Sequence, residues 1–331
     1  MKEVVVVSGA AGMTGSKVSE FLLKQNIIVI GFDNFFCGSR ELIKQLKIDA
    51  NFIFFEYDIC NKPQMNHLFE FIKSSYKHNY KYFINCAAVV HTKHFYHPDD
   101  TFQTNVIAMK DMLDRCIKNK FKRYINCSTS EVYSMKSFEE GGVRENSPIL
   151  IATAEHSLRT SYAVGKLLTE FFIKNAVDNR EILGCSIRFA NVYSADEQHN
   201  EHIIPHIISS LQQSQSVTLL ENAKETRRTF LNNYDSCMAI LKLLFCESAL
   251  DGSVYNVGTM EEIYILDLVK KIAELMDIDD YTINFQGMRT ADPKRRLLNV
   301  NKISQMVNWS PKISLKSGLQ ECIQNRLNRR D

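Results

Sequence analysis

Four consecutive valines running into three evenly spaced glycines constrain this chain more than any other feature. Residues Val4 to Gly15 read VVVVSGAAGMTG, with glycines at 9, 12 and 15 and Met13 and Thr14 inside the same turn. A short β-branched run bounded by glycine predicts a buried strand. Glycines after it allow an anion to approach the bare N–H groups at the start of the next helix. The spacing is G-x-x-G-x-x-G rather than the usual G-x-G-x-x-G, so the glycines carry little weight alone. A second apolar run, Ile27 to Phe32, ends at Asp33, eighteen residues after Gly15. An acidic side chain at about that distance accepts hydrogen bonds from an adenosine ribose. Strand, glycine turn, helix and acid in this order predict a dinucleotide-binding unit.

The alternation continues. Apolar runs at 3–8, 27–32, 52–57, 81–86, 122–127 and 183–189 read as strands, and 14–25, 39–47, 64–75, 101–118 and 161–177 as amphipathic helices. Alternating strands and helices make an α/β fold, a Rossmann-type doubly wound parallel sheet with sites at the carboxyl ends of its strands. After residue 190 the alternation loosens. A polar loop from Ser194 to Glu201 precedes a helix at 202–213, short strands at 216–220 and 228–231, and a helix at 234–247. Tyr255 to Gly258, a helix at 264–276, a basic loop at 289–296 and a terminal segment at 314–328 complete the chain. This predicts a smaller interleaved α/β substrate domain. Residues 1–190 plus about 228–258 form the dinucleotide-binding domain, and about 191–227 plus 259–331 the second.

With 331 residues the chain can bury a large core, and a net charge of +2 points to no charged partner. Basic residues cluster only at Lys294, Arg295, Arg296 and at Arg326, Arg329, Arg330, with no aromatic-interleaved stripe, which argues against nucleic acid. No stretch approaches the roughly 18 apolar residues of a membrane span, and the apolar N-terminus carries the glycine motif rather than a leader. Nine cysteines, none spaced C-x-x-C, fit reduced thiols in a cytoplasmic protein better than disulfides or zinc.

Two stretches carry chemistry. Tyr162 and Lys166 stand at i and i+4, on one face of a helix. A nearby ammonium lowers a phenol's pKa and suits it to act as a base. The end of the fifth strand reads Ser128-Thr129-Ser130-Glu131-Val132-Tyr133, clustering hydroxyls and a carboxylate where a strand leaves the sheet. His91, His94 and His97 form H-x-x-H-x-x-H, but a loop running into Pro98 does not converge them on one ion. They read as substrate or surface contacts, and no metal is expected.

With these residues in place, the chain resembles the extended short-chain dehydrogenase/reductases of the NAD-dependent epimerase/dehydratase family, which remodel nucleotide-diphosphate sugars. The likeness runs through Gly9, Gly12, Gly15, Asp33-Asn34, Asp58-Ile59, Ala87-Ala88, Asn105, Thr129 to Tyr133, Tyr162, Lys166, Arg188 and Asn191. It continues through Arg228-Thr229-Phe230, Tyr255 to Gly258, Asp292-Pro293, Arg295-Arg296 and Trp309-Ser310-Pro311. The resemblance implies NAD held by the glycine turn with Met13 and Thr14, by Asp33 and Asn34, by Asp58 and Ile59 beside the adenine, and by Ala87, Ala88, Asn105, Tyr162 and Lys166. Asp33 would face a 2′-phosphate, favouring NAD over NADP. Thr129 would bond the sugar O4, Tyr162 would be the base and Lys166 would tune it. Arg228, with Arg289 or Arg296, would clamp the diphosphate, a task suited to guanidinium forks; Arg159 and Asn191 would also contact substrate. The chain departs from the pattern at Ser134 and Ser194-Ala195, where glycine and Gly-Pro are usual, at Asn85 for histidine, and at Asn299 for aspartate.

The resemblance further implies transient oxidation at sugar C4. Returning the hydrogen to the opposite face gives a 4-epimerase. Loss of water across C5–C6, or of carbon dioxide from a uronate, needs more, and Ser130 and Glu131 are placed to assist. The string Ser128 to Tyr133 and Arg159 are similar to those of UDP-glucuronate decarboxylases and sugar-nucleotide 4,6-dehydratases. Decarboxylation or dehydration is therefore expected ahead of 4-epimerisation. A non-catalytic NAD-sensing regulator is disfavoured because Thr129, Tyr162 and Lys166 are all present. Helices 101–118 and 161–177 carry apolar residues beyond one stripe, and the family pairs such helices across a two-fold axis, implying a homodimer.

Overall fold

The computed structural model describes residues 2–76, 81–136, 138–197 and 200–328. Arg329 and Arg330, and part of the polar loop before Glu201, lie outside them. The first half runs β1 Val4–Ser8, α1 Met13–Lys24, β2 Ile28–Asp33, α2 Arg40–Leu46, β3 Phe52–Glu56, α3 Lys62–Ser75 and β4 Lys81–Asn85. It continues with α4 Pro98–Phe102, α5 Met109–Lys118, β5 Arg123–Thr129, α6 Thr160–Asp178 and β6 Leu183–Phe189. Then come β7 Asn191–Tyr193, α7 Ile203–Ser214, β8 Ser216–Leu219, β9 Arg227–Asn232, α8 Asn233–Leu244 and β10 Asp251–Val257. The chain ends with β11 Glu262–Tyr264, α9 Ile265–Leu275, β12 Thr282–Phe285, α10 Asn301–Val307 and α11 Leu315–Asn328.

Seven strands form one parallel sheet in the order β10-β6-β5-β4-β1-β2-β3. Successive side chains of a strand point to opposite faces, and the valines of β1 obey this rule. Val5 and Val7 enter a core shared with α1 and α8, whereas Val4 and Val6 enter one shared with α3, α5 and α6. A sheet covered on both faces needs continuous rather than alternating apolar strands, which is why four valines in a row suit its centre. The order reverses between β1 and β4, so the loops after these strands open a crevice at their carboxyl ends.

The remaining strands form two small sheets. In one, β9 lies between β7 and β11, parallel to the first and antiparallel to the second; in the other, β8 and β12 run parallel. Around them α7, α9 and α11 enclose a separate apolar core centred on Ile207, Leu211, Leu268, Ile272 and Leu319. The segment expected as one helix over 101–118 is composite. A π-helical stretch, Gln103–Ala108, joins α4 to α5 and carries Asn105, whose amide accepts from and donates to the Val89 backbone. That bidentate contact pins the loop after β4 against the helix, and widened turns of this kind concentrate near functional sites.

Candidate active site

A cavity of about 1100 Å³ runs between the seven-stranded sheet and the smaller lobe. Its floor is the glycine turn. The three glycines perform three different tasks. Gly9 has φ +68°, and a Cβ there would sit 2.7 Å from the Ala87 nitrogen. Gly15 would place a Cβ 2.1 Å from the Gly9 carbonyl oxygen, so it is required for the helix to close on the turn. Gly12 precedes α1 and would meet only the Gly9 oxygen, at 3.3 Å, leaving its other side open to the cleft. Tight turn, close approach of a pyrophosphate and helix–strand packing are the three roles glycines take in a dinucleotide site.

Asp33 ends β2 at the cavity wall, accepting from the backbone N–H of Ala11 at 3.1 Å and Phe35 at 2.7 Å. Burial pushes its carboxyl above the usual range, and the two N–H donors offset this only in part. Asn34 donates to Asp58 at 3.0 Å, linking the loops after β2 and β3, and Ile59 lines the cavity beside them. Met13, Thr14, Ala87 and Ala88 line it too, with Thr14 tied to Asn233 and the Ala87 N–H to the Ser8 hydroxyl. Asn105 lies beneath the surface and acts on the site through the Val89 loop. The residues present therefore fit a dinucleotide lying across the crevice.

At the other end, Tyr162 is buried and stacks face to face on Phe95 at 3.9 Å. Burial and the Glu131 charge push its phenol above the ordinary range, against a Thr129 hydrogen bond and the Arg159 charge, which pull it down. Lys166 is buried one turn along α6, and burial lowers its pKa. Its ammonium donates to the Cys127 carbonyl at 2.5 Å, so its present partner is strand β5 rather than the phenol it is expected to tune. Thr129 lines the cavity and accepts from the Glu131 N–H at 3.2 Å, while the adjacent Ser130 is fully covered.

Glu131 is the residue the structure changes most. Arg159 grips its carboxylate at 2.9 Å from one side, and Arg296 bonds both of its oxygens from the other. Against the burial penalty, the two guanidinium charges hold its carboxyl far below the usual range. The paired guanidinium groups favour its ionised form. Arg296, expected at a diphosphate, instead reaches Glu131 because residues 295–298 fold back along Arg227 and Val143. Arg228 is largely buried with Asp292 at 2.8 Å, and burial and the Arg296 charge lower its pKa to about 10. Arg289 stands 4.0 Å from Asp292, and both line the cavity with Arg228. Asn191 lines it as well and donates to the Thr229 carbonyl at 3.2 Å.

The histidines divide between two contacts. His91 meets Glu201 at 2.8 Å and His94 meets Asp100 at 2.7 Å. Among the described residues, no group of three or more histidines, cysteines or acids is arranged to hold a metal ion, and no helix is long and apolar enough to cross a membrane. Sequence reasoning missed two features of the site. Phe95 supports Tyr162 by stacking on its ring. Glu170 bonds Ser128 at 2.6 Å and forms a buried pair with Arg188 at 2.6 Å, bracing the strand end before Thr129. Glu170 lies four residues after Lys166, so the helical spacing that singled out Tyr162 and Lys166 could also have found it.

The model of the NAD dependent epimerase/dehydratase family matches residues 5–258. The chain belongs to this family. Among relatives, UDP-glucuronic acid decarboxylase 1 of Arabidopsis thaliana is 27% identical over 98% of this chain and 70% of its own length. The dTDP-D-glucose 4,6-dehydratase of Dictyostelium discoideum is 24% identical over 96% of this chain and 80% of its own length. In fold, UDP-glucuronic acid 4-epimerase from Bacillus cereus, solved with UDP-glucuronic acid and NAD, superposes with a TM-score of 0.85 at 24% identity, covering 98% of this chain and 99% of its own. This chain is therefore a member of an NAD-dependent enzyme family.

Proposed function

We propose that the protein decarboxylates a nucleotide-diphosphate uronate through a transient ketone at sugar C4. The observation carrying this reading is the Arg159–Glu131–Arg296 cluster beside Tyr162. Together with Arg228, Arg289 and Asp292 it sets four guanidinium groups against two carboxylates around one end of the cleft. That surplus of positive charge suits a substrate carrying a carboxylate as well as a diphosphate. Eliminating water instead would require a proton donor for the departing C6 hydroxyl, and a carboxyl held ionised by two arginines does not supply one. The 27% identical decarboxylase is consistent with the same choice.

Bound NAD would supply a reversible two-electron oxidant for the carbon beside Tyr162. Tyr162 would take the O4 proton while Thr129 holds that oxygen, which requires Lys166 to turn from the Cys127 carbonyl towards the phenol and offset the burial that holds it protonated. The C4 carbonyl then accepts the electron pair released as the C5–C6 bond breaks and carbon dioxide leaves. Tyr162 and Thr129 would stabilise the oxyanion. A proton delivered to C5 leaves a 4-ketopentose. Return to C4 of the hydrogen first taken from it, with Tyr162 giving the proton back to O4, would make loss of carbon dioxide the only net change. Arg159 would orient the carboxylate, with Glu131 and Arg296 fixing Arg159. Arg228 and Arg289 would share the diphosphate, loosening their hold on Asp292.

This reading includes the division into 1–190 with about 228–258 and 191–227 with 259–331, and a homodimer formed through α4–α6. Val164, Leu168 and Phe171 of α6 lie on one face and are 44%, 41% and 64% exposed, next to Phe102 and Ile107. The test is mass spectrometry of the protein incubated with NAD and a panel of nucleotide sugars. Loss of carbon dioxide from a uronate is expected. Loss of water from a neutral hexose would replace decarboxylation by 4,6-dehydration, and an isomer of unchanged mass would replace it by 4-epimerisation. Full turnover in Glu131→Gln would remove the cluster from the mechanism.

A further inference from the structure

Two thiols that this chemistry does not use face each other on the floor of the cofactor cleft. Strands β4 and β5 run parallel with Asn85 opposite Asn126, so the next residues, Cys86 and Cys127, are side by side as both strands leave the sheet. Their Sγ atoms are 3.8 Å apart. Both are half-buried and both line the cavity, next to the glycine turn and Ala87. Of the others, Cys116, Cys185, Cys237 and Cys322 are buried, Cys60 contacts Thr104 at 3.6 Å and Cys246 contacts Ser248 at 3.3 Å, while Cys37 lines the same cavity but faces no second thiol among the described residues.

We propose that Cys86 and Cys127 are an oxidisable dithiol, closed to a disulfide by a peroxide and reopened by a dithiol reductant, that controls NAD binding. One thiolate attacks the peroxide, breaking its O–O bond and forming a sulfenic acid with release of water. The second sulfur displaces the sulfenic hydroxyl as another water. The two thiols lose two electrons and two protons, and the peroxide gains them. Neighbouring positions of parallel strands lie within the Cα range a disulfide tolerates, but the sulfurs must close from 3.8 Å to about 2.05 Å. The movement falls on two walls of the cleft at once. Cys127 carries the carbonyl that holds Lys166 at 2.5 Å, and Cys86 leads into Ala87 and Ala88. A strained disulfide is also an easily reduced one, as a reversible device requires. The hydrogen bond to Cys127 and burial hold the Cys86 thiol protonated well above its usual range, against the Lys166 charge, so closure quickens as pH rises. Bound NAD would cover this floor and shield the pair.

The experiment treats the protein with hydrogen peroxide, with NAD present and after its removal, then blocks remaining thiols and digests without reduction. In the NAD-free protein a cross-linked peptide joining Cys86 to Cys127, lighter by two hydrogens than the separate peptides, is expected. NAD affinity measured by equilibrium dialysis should fall about tenfold or more, corresponding to at least about 1.4 kcal/mol, and recover with dithiothreitol. Cys86→Ala and Cys127→Ala should each lose the cross-link, and each should show no peroxide-induced fall in NAD affinity relative to its own untreated form. Absence of that cross-link in the NAD-free protein, or undiminished sensitivity in Cys86→Ala, would overturn the proposal. Neither readout depends on which sugar is the substrate.

Discussion

At the scale of single residues, Glu131 shows how surroundings redefine a side chain. Its folded-state pKa lies far below the ordinary glutamate value of about 4.3, because Arg159 and Arg296 outweigh its burial. A depressed carboxylate contributes stability that is present above the unfolded pKa and lost as pH falls through the folded one. Glu131→Gln leaves two buried guanidinium groups without their anion, at a cost of about 3–5 kcal/mol. Urea unfolding between pH 7 and 3 should show this gap at neutrality and a narrowing of it below pH 4; a gap independent of pH would mean that Glu131 is not the titrating group. Ser134 provides a second case. It occupies φ +49° and ψ −116° directly after Tyr133, a conformation natural to glycine and strained for serine. This explains why glycine is the usual residue there. Ser134→Gly should raise stability by up to about 1 kcal/mol, the gain reduced by loss of the Ala152 N–H contact to the serine hydroxyl. A lower unfolding midpoint would mean that this contact outweighs the backbone relief.

At the scale of elements, the turn from β1 into α1 separates two kinds of glycine that look alike in the sequence. Gly15→Ala drives a methyl into the Gly9 carbonyl and should destabilise the fold by roughly 1–3 kcal/mol or more. Gly12→Ala has ordinary backbone angles and one near neighbour. It should keep the unfolding midpoint while weakening NAD binding about tenfold or more; calorimetry and dialysis on the pair would show reversed effects if the turn faced away from the cofactor. The spacing pointed to the turn but not to this division of labour, which depends on what each Cβ would meet. The six apolar runs before residue 190 were readable because strands buried on both faces are continuously apolar, and all six form strands of the main sheet. β7, β11 and β12 are three or four residues long, too short for a period to register, and were not foreseen. The Arg296–Glu131 contact was also invisible, since it spans 165 positions and depends on the fold-back of the loop after Asp292. Tyr162 and Lys166, by contrast, are near neighbours on one helix, and their spacing was sufficient to place both on its buried face.

At the scale of the molecule, the cleft is built from two separately cored bodies. The sheet side supplies the glycine turn and Tyr162, and the smaller lobe supplies Arg228, Arg289 and Asp292. Helix α6 connects this arrangement to the outside. Its inner face carries Tyr162, Lys166 and Glu170, while Val164, Leu168 and Phe171 stand exposed on its outer face. If two copies meet through this face about a two-fold axis, each substitution acts twice, because the same patch lies on both sides of an isologous interface. Burying one phenylalanine is worth about 1.5–3 kcal/mol, so Phe171→Glu removes roughly twice that and adds two facing charges. The dissociation constant should rise by a factor of about 100 or more, converting a dimer into a monomer at micromolar concentration in sedimentation equilibrium. Because Phe171 is 64% exposed in the single chain, the monomer's own unfolding midpoint should hardly change. A parent that sediments as a monomer, or a variant that remains dimeric, would place the contact elsewhere. A shift in turnover accompanying dissociation would show that the outer face of α6 steadies the tyrosine on its inner one.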